Sequence, residues 1–303
     1  MDRAIVDSLL TRLQSNQCKP ANERVKVIVD RIVHDLFHAM NDLNVTPDEF
    51  WTAVNYLTEA GRNNEFGLIA AGLGFEHFLD VMMDEQDKAA GVEGGTPRTI
   101  EGPLYVAGAP VCQGEGRLDD GTEQGEVLFM DGVVTDTSGK PIAGALVEVW
   151  HANTLGNYSY FDKSQSAYNL RRTIVTDAEG RYRFRSILPS GYGCPPNGST
   201  QQLLDQLGRH GRRPAHIHFF VSAPDHRKLT TQINIDGDEY LHDDFAFATR
   251  DGLVPAVVRH TDAKDIHANG LNAPFATITF DFALHPLTGA VRSTDVQRLR
   301  AEA

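Results

Sequence analysis

The hydrophobic spacing of this chain changes near residue 104, and the change limits which folds are open to it. Before that point apolar residues recur every three or four positions, as at Val25, Ile28 and Ile32. This spacing predicts amphipathic helices. Beyond it, short apolar runs alternate with turn sequences such as Asp177-Ala178-Glu179-Gly180. That pattern predicts β-strands.

The predicted strands follow one another with few helices between them, which favours an antiparallel β-sandwich over a parallel sheet. We predict a mainly β fold in which an α-helical N-terminal domain, residues 1–103, precedes a β-sandwich domain, residues 104–303. Residues 46–49 (Thr-Pro-Asp-Glu) resemble a capping box and predict a helix start. A short helix is expected at residues 200–210. The strand-like runs lie at residues 127–130, 144–150, 172–176, 182–187, 216–222 and 276–284.

Charge and cysteine content exclude several classes of protein. The net charge of −13 disfavours a nucleic-acid partner, because phosphate binding needs a dense positive patch. Cys18, Cys112 and Cys194 are too few and too widely spaced for a disulfide framework, which indicates free thiols in a reducing cytoplasm. No apolar run reaches the roughly 18–20 residues that span a bilayer. We therefore expect a cytoplasmic protein that is not membrane-spanning and binds no nucleic acid.

The sharpest chemical signal is the sequence His216-Ile217-His218. Residues i and i+2 of a strand project from the same face, so both imidazoles could reach one metal ion. Each histidine taken singly is more often an ordinary half-buried side chain. The pair raises the odds of a metal site, but it does not name the metal, since imidazole suits zinc, copper, iron and nickel.

From the residues alone, the remaining ligands are open. Asp225, Asp236 or Asp238 could complete a facial triad for iron(II) or a zinc site. Tyr158 and Tyr192 lie in loop-like sequences from which a side chain could reach into a site, although either hydroxyl could equally bond to a turn. A catalytically silent sandwich that binds ligands or partners is a third reading, because the fold alone does not specify function.

Five stretches of the chain, in this order, resemble the intradiol ring-cleaving dioxygenases. They are residues 148–158 (EVWHANTLGNY), 169–172 (NLRR), 191–196 (GYGCPP), 211–218 (GRRPAHIH) and 229–234 (LTTQIN). The resemblance extends from near Gly67 to near Phe282. It implies one iron(III) per subunit, and it implies aromatic-compound catabolism in which dioxygen opens catechol between its two hydroxyls to give cis,cis-muconate. The implied iron ligands are Tyr158, Tyr192, His216 and His218.

The resemblance also implies roles for residues around the iron. Arg213 would lie beside the substrate, where a guanidinium stabilises negative charge developing on the ring. Gln232 would be a polar neighbour of the same site. Tyr192 would leave the metal when substrate binds and accept a proton, and its flanking glycines would permit that movement. Without the resemblance, Arg213 would be taken for a surface residue in a basic cluster with Arg209 and Arg212.

The residues implied to form the substrate wall are apolar or small, which suits an unsubstituted benzene diol in a flat slot. They are Leu68, Ile100, Pro103, Leu104, Cys194, Phe245 and Ala246. Small 3- or 4-substituted catechols are further candidate substrates, because one methyl or chlorine changes binding by only about 1–3 kcal/mol. The wall has no cation to pair with a carboxylated ring apart from Arg213, so protocatechuate is not expected.

The helical third has an apolar face too large for a lone domain of its size. We therefore expect a homodimer formed through the helical domain. The resemblance adds a phospholipid in a channel at the dimer interface.

Overall fold

The structure, a computed structural model, describes nearly the whole chain and divides it into two compact units, Met1–Arg62 and Asn63–Ala303. The described residues are 1–15, 19–289, 291, 293, 296, 298 and 300–302. Cys18, expected to be a free thiol, lies outside them, whereas Cys112 and Cys194 are free thiols.

The first unit is helical. Its helices are α1 (Arg3–Gln14), α2 (Glu23–Asp42) and α3 (Pro47–Arg62). The start of α3 is the predicted capping box: the Thr46 backbone N–H donates to Glu49 Oε2 at 2.8 Å, and the Glu49 N–H donates to Thr46 Oγ1 at 3.3 Å. Helix α2 has no buried residue within this unit despite its apolar stripe.

The second unit contains the strands and four further helices. The helices are α4 (Phe66–Gly72), α5 (Phe75–Ala89), α6 (Ser199–Gln206) and α7 (Ala263–Ala268). The strands are β1 (Val106–Ala107), β2 (Val111–Gln113), β3 (Glu115–Arg117), β4 (Val127–Asp136), β5 (Leu146–His151), β6 (Arg171–Val175), β7 (Arg181–Ile187), β8 (Tyr192–Gly193), β9 (Arg212–Arg213), β10 (His216–Ser222), β11 (Leu229–Asn234), β12 (Val258–His260), β13 (Phe275–Thr279), β14 (Phe282–Leu284) and β15 (Ala301–Glu302). Helix α6 corresponds to the helix expected at residues 200–210.

Two sheets form the predicted β-sandwich, which is confirmed, although both contain parallel pairs and are not wholly antiparallel as expected. One has the strand order β11-β10-β5-β6-β2, and the other has the order β12-β13-β4-β7-β3 with β14 also beside β4. Strand β10 is antiparallel to both of its neighbours, while β13 and β14 run parallel to β4. The sheets are therefore mixed. No hairpin joins β13 or β14 to β4, so no short turn imposes an antiparallel direction on these pairs.

The core between the sheets is built from one face of each strand. Ile217, Phe219 and Val221 of β10 are fully buried in it. Because side chains alternate along a strand, His216 and His218 point away from this core, on the outer face of the five-stranded sheet. That face of β10 carries the two histidines and, next along the strand, Phe220, which packs in a separate apolar cluster with Trp150.

Helices α4 and α5 belong to the same compact unit as the strands. Asp87 on α5 accepts from Arg98 and, at 2.9 Å, from Arg227 just before β11. The predicted change from helices to strands at residue 103 falls between α5 and β1, and the domain boundary drawn there stays a prediction. Among the described residues no single helix has the length and apolar character to cross a membrane; α4 and α5 together pass on length and composition only, with a 61° bend between them.

Candidate metal centre

Strand β10 brings two imidazoles together on the outer face of its sheet. His216 Nε2 lies 3.1 Å from His218 Nε2, and both side chains are buried. His216 Nδ1 lies 2.6 Å from the carbonyl oxygen of Pro214. Since a carbonyl can only accept, Nδ1 carries the proton and Nε2 keeps a lone pair directed at the site.

The histidines are held neutral by their surroundings. Burial, followed by the charge of Arg213, lowers the pKa of His216 to about 3. Burial, followed by the neighbouring His216, lowers the pKa of His218 well below its usual value. Trp150, opposite His218 on β5, stacks on its ring with centroids 4.9 Å apart and planes 4° apart. Neutral, oriented imidazoles are the form that binds a metal ion.

Two tyrosines reach the same point from separate loops. Tyr158, in the loop after β5, is buried, and its Oη lies 3.3 Å from His216 Nε2. Tyr192, on β8, meets the Tyr158 ring edge-on, with the ring centroids 5.5 Å apart. Burial, with Tyr192 adding to it, raises the pKa of Tyr158 well above the usual value for a phenol. Tyr158 is therefore a neutral phenol unless a cation compensates its charge.

The glycine before Tyr192 serves close packing and not only mobility. A Cβ atom at Gly191 would lie 2.5 Å from the carbonyl oxygen of Arg213, a distance at which the backbone must shift. Strand β8 pairs with β9, and Tyr192 is in register with Arg213. The absence of a side chain at residue 191 lets these two short strands approach, and this fixes where Tyr192 enters the site.

The donor atoms fit a single metal ion. Two ligands bound about 2 Å from one ion lie about 3 Å apart. His216 Nε2 lies at such distances from His218 Nε2, 3.1 Å, and from Tyr158 Oη, 3.3 Å. Among the described residues no group of three or more His, Cys, Asp or Glu side chains could hold a metal, so the facial triad with Asp225, Asp236 or Asp238 does not form. Two imidazoles and two phenols remain, and phenolate oxygens suit a hard cation with a high charge.

Arg213 lies beside these donors and is buried, so its interpretation from the residues alone as a surface arginine is wrong. Its Nη1 is 3.1 Å from His216 Nε2 and 3.5 Å from Tyr192 Oη. Its Nη2 donates to Gln232 Oε1 at 2.8 Å and to Asp244 Oδ2 at 3.1 Å, and its Nε donates to Asp244 Oδ1 at 3.1 Å. Burial lowers the pKa of Arg213, but the Asp244 carboxylate outweighs it and the pKa is raised overall. A charged guanidinium is thus fixed at the site.

Three residues around this centre were not singled out by the sequence reasoning: Asp244, Trp150 and Arg171. A buried guanidinium needs a compensating negative charge, and for Arg213 the Asp244 carboxylate supplies it. Nothing in the sequence selects Asp244, which lies 31 positions further along. Trp150 and Arg171 fall within the quoted motifs without any local signal of their contacts.

Five of the seven proposed wall residues belong to, or pack against, two apolar clusters. One cluster contains Ala71 and Leu204 together with four of the wall residues, Ile100, Cys194, Phe245 and Ala246. Leu104 packs against the other cluster, which contains Tyr158. Leu68 on α4 is half-buried, and Pro103 is exposed. A Cβ at Gly102 would lie 3.7 Å from the His218 ring, so the segment carrying Pro103 and Leu104 passes directly beside the histidines.

Known proteins are similar to this chain in sequence and in fold. The family described as "Dioxygenase" matches residues 100–286, and "Catechol dioxygenase N terminus" matches residues 22–91. The chain is 70% identical over 257 residues to catechol 1,2-dioxygenase 2 of Acinetobacter lwoffii, covering 85% of this chain and 94% of the relative. It is 57% identical over 282 residues to catechol 1,2-dioxygenase of Acinetobacter baylyi, covering 92% and 91%.

A solved structure agrees with the same assignment. The crystal structure of wild-type Acinetobacter radioresistens catechol 1,2-dioxygenase matches with a TM-score of 0.96 and 56% identity, covering 100% of this chain and 99% of that one. The chain therefore belongs to the intradiol ring-cleavage dioxygenases. This family uses non-haem iron.

Proposed function

We propose that this enzyme opens catechol between its two hydroxyls and inserts both atoms of dioxygen, giving cis,cis-muconate in aromatic-compound catabolism. Catechol, C₆H₆O₂, plus O₂ balances muconic acid, C₆H₆O₄. The observation that carries the proposal is that Tyr158 Oη and His218 Nε2 both lie within 3.3 Å of His216 Nε2, in a buried site faced by Arg213. The named activities of the relatives support catechol as the substrate.

Four side chains would hold one iron(III) per subunit: Tyr158, Tyr192, His216 and His218. Bound iron(III) supplies a Lewis-acidic centre that both oxygens of a catechol can chelate. Of the two phenols, Tyr192 is the less buried and lies next to the guanidinium of Arg213. Its Oη would accept a proton from the substrate, while Tyr158 stays in place. Stacking on Trp150 and the bond to the Pro214 carbonyl keep the two imidazoles oriented.

Arg213 and Gln232 would act on the substrate ring. A buried guanidinium held by Asp244 cannot move away, so its charge is already in position when negative charge develops on the ring. Gln232, opposite His218 in register, accepts from Arg213 and fixes the orientation of its fork. The wall residues Ile100, Cys194, Phe245 and Ala246 would exclude water from the apolar side of the ring. Burial raises the pKa of the Cys194 thiol to about 12, so the thiol is neutral there.

Replacing Arg213 with leucine is expected to slow turnover about 10²–10³-fold, the usual effect of losing one charge-stabilising donor. The variant should keep its iron and its reddish colour, because Arg213 is not a proposed ligand. Turnover and the visible spectrum measure the two effects separately. Arg212→Leu, a change at the exposed neighbouring arginine, is the matched control and should behave as the parent. Normal turnover in Arg213→Leu would remove its proposed role.

The activity is tested by following oxygen uptake and muconate absorbance with catechol, 3- and 4-methylcatechol, hydroxyquinol and protocatechuate. We expect one O₂ consumed per catechol, with muconate as the product. Methylcatechols should turn over more slowly and protocatechuate not at all. A ring opened outside the two hydroxyls, recognised by a yellow semialdehyde product, would contradict the proposal.

We also propose that residues 1–103 act as a dimerisation domain for a catalytic domain of residues 104–303, in a cytoplasmic homodimer. Support comes from α2, whose apolar residues Ile28, Val29, Ile32 and Leu36 are 42–55% exposed. A phospholipid chain could occupy an apolar groove of about 430 Å³ within the first unit. The groove is lined by Met1, Val6, Leu9, Phe37, Met40, Asn41, Asn44 and Val45. Light scattering and lipid extraction would test the two ideas separately.

A further inference from the structure

A second buried arginine lies near the candidate metal centre. Arg171, at the start of β6, is 1% exposed. Its Nε donates to Ser159 Oγ at 2.8 Å, and its Nη2 donates to the Ser159 carbonyl oxygen at 3.1 Å. Its Nη1 is buried and has no hydrogen-bond partner among the described residues. Within the described part of the chain, this guanidinium therefore donates only to two neutral oxygens.

No carboxylate within the described part of the chain forms an ion pair with Arg171. The contrast is Arg213, whose charge is matched by two bonds to Asp244. Taking an unpaired charge out of water is strongly unfavourable, so a buried guanidinium is retained only where some negative charge compensates it. A guanidinium does not lose its proton in a protein, so Arg171 cannot escape this cost by becoming neutral.

The group that Arg171 does face is the ring of Tyr158. The guanidinium carbon lies 5.8 Å from the ring centroid, within the range of a cation–π contact. As a neutral phenol, Tyr158 offers Arg171 only the weak field of its ring. As a phenolate, Tyr158 would carry a full negative charge spread over its oxygen and ring. That charge would lie next to Arg171, a buried cation with no carboxylate partner among the described residues.

We propose that Arg171 is a positioning residue that acts as the counter-charge of the Tyr158 phenolate when the metal is bound. This inference rests on the proposed function, in which Tyr158 is a metal ligand. Arg171 holds the loop through Ser159, the residue next to Tyr158, and its charge stabilises the ionised ring. The two arginines of the site thus stabilise different negative charges: Arg213 the charge that develops on the substrate ring, and Arg171 the charge of the metal ligand Tyr158.

The charge has a spectroscopic consequence. Colour in a tyrosinate–iron(III) site comes from electron transfer from phenolate to metal. A cation close to the ring lowers the energy of the donor electrons on that ring, and the Coulomb interaction weakens with distance, so this effect would be strongest for the group nearest the guanidinium. Removing the charge should therefore reduce the transition energy and move the band to longer wavelength.

The test compares two substitutions that separate charge from hydrogen bonding. Arg171→Gln keeps an amide donor and loses the charge, whereas Arg171→Lys keeps the charge and loses the fork. We expect Arg171→Gln to shift the band to longer wavelength and to bind iron about 10- to 100-fold more weakly in chelator competition, as for other outer partners of metal ligands. Arg171→Lys should keep the parent band position. Arg172→Gln, which removes a charge at the next residue of β6, is the control and should not shift the band.

Two outcomes would overturn the inference: an unshifted band in Arg171→Gln with iron bound, or equal shifts in Arg171→Gln and Arg171→Lys, which would indicate a purely structural clamp. If Arg171→Gln does not fold, the test is made with Arg171→Lys alone. A band shifted from the parent position in Arg171→Lys, which keeps the charge, would contradict the inference. Failure of the proposed function looks different, because the unmodified enzyme would then lack the band altogether.

Discussion

Replacing His216 with alanine is expected to remove iron and ring-cleaving activity together. His216 Nε2 lies within 3.3 Å of both His218 Nε2 and Tyr158 Oη, so its loss takes the central donor from the set. Losing a direct ligand should cost more than the roughly 10–100-fold that outer partners contribute to metal affinity. Elemental analysis and oxygen uptake on the purified variant measure both effects. The fold should persist, because the opposite face of β10 supplies the core.

His226 offers the matched control. Its Nδ1 contacts the carbonyl oxygen of Pro224 at 2.7 Å, in the same local arrangement as His216 and Pro214, but no proposed ligand lies beside it. His226→Ala should keep full iron and activity. A His216→Ala enzyme that retains iron and turns over normally would remove this residue from the proposed ligand set.

The second large effect is on stability. Asp244→Ala should lower the free energy of unfolding by about 3–5 kcal/mol, the usual cost of leaving one member of a buried ion pair without its partner. The Asp244 side chain is 1% exposed and holds both Nε and Nη2 of Arg213. It also accepts from the backbone N–H groups of Ala246 and Ala248 at 3.0 and 3.2 Å. Urea unfolding monitored by fluorescence would measure the loss.

Asp243, the residue before Asp244, serves as a control, because its replacement removes a carboxylate charge at an exposed position instead of a buried one. Asp243 is largely exposed and pairs with His210, so Asp243→Ala should stay within about 0.5 kcal/mol of the parent. Adding Arg213→Leu to Asp244→Ala should recover part of the lost stability, because the uncompensated charge is then gone. An Asp244→Ala protein as stable as the parent would show that this pair contributes nothing to the fold.

Local sequence rules predicted the secondary structure well wherever the residues in contact are close together in the sequence. The capping box placed the start of α3, and alternation along the strand placed His216 and His218 on one face. The sandwich followed from short strands and turns. The parallel pairing of β13 with β4 was not predictable, because it joins residues 148 positions apart and no hairpin signals it.

The candidate site was predictable only in part from its residues. The spacing of His216 and His218 in a predicted strand indicates a metal-binding pair, whereas Tyr158 and Tyr192 were proposed as ligands from resemblance to a family. Their meeting depends on two loops, and the structure brings Tyr158 Oη to His216 Nε2 across 58 positions. Asp244 and Arg171 could not be found at all, because a buried charge and its compensation are properties of the folded chain.

The most direct test is the visible spectrum of the purified enzyme, taken together with its metal content. Two phenolates on iron(III) should give a broad reddish charge-transfer band and about one iron per chain, and both should disappear together on chelation and return together with added iron. Active enzyme that is colourless and free of iron, or that contains zinc instead, would contradict the ferric centre on which the proposed reaction depends.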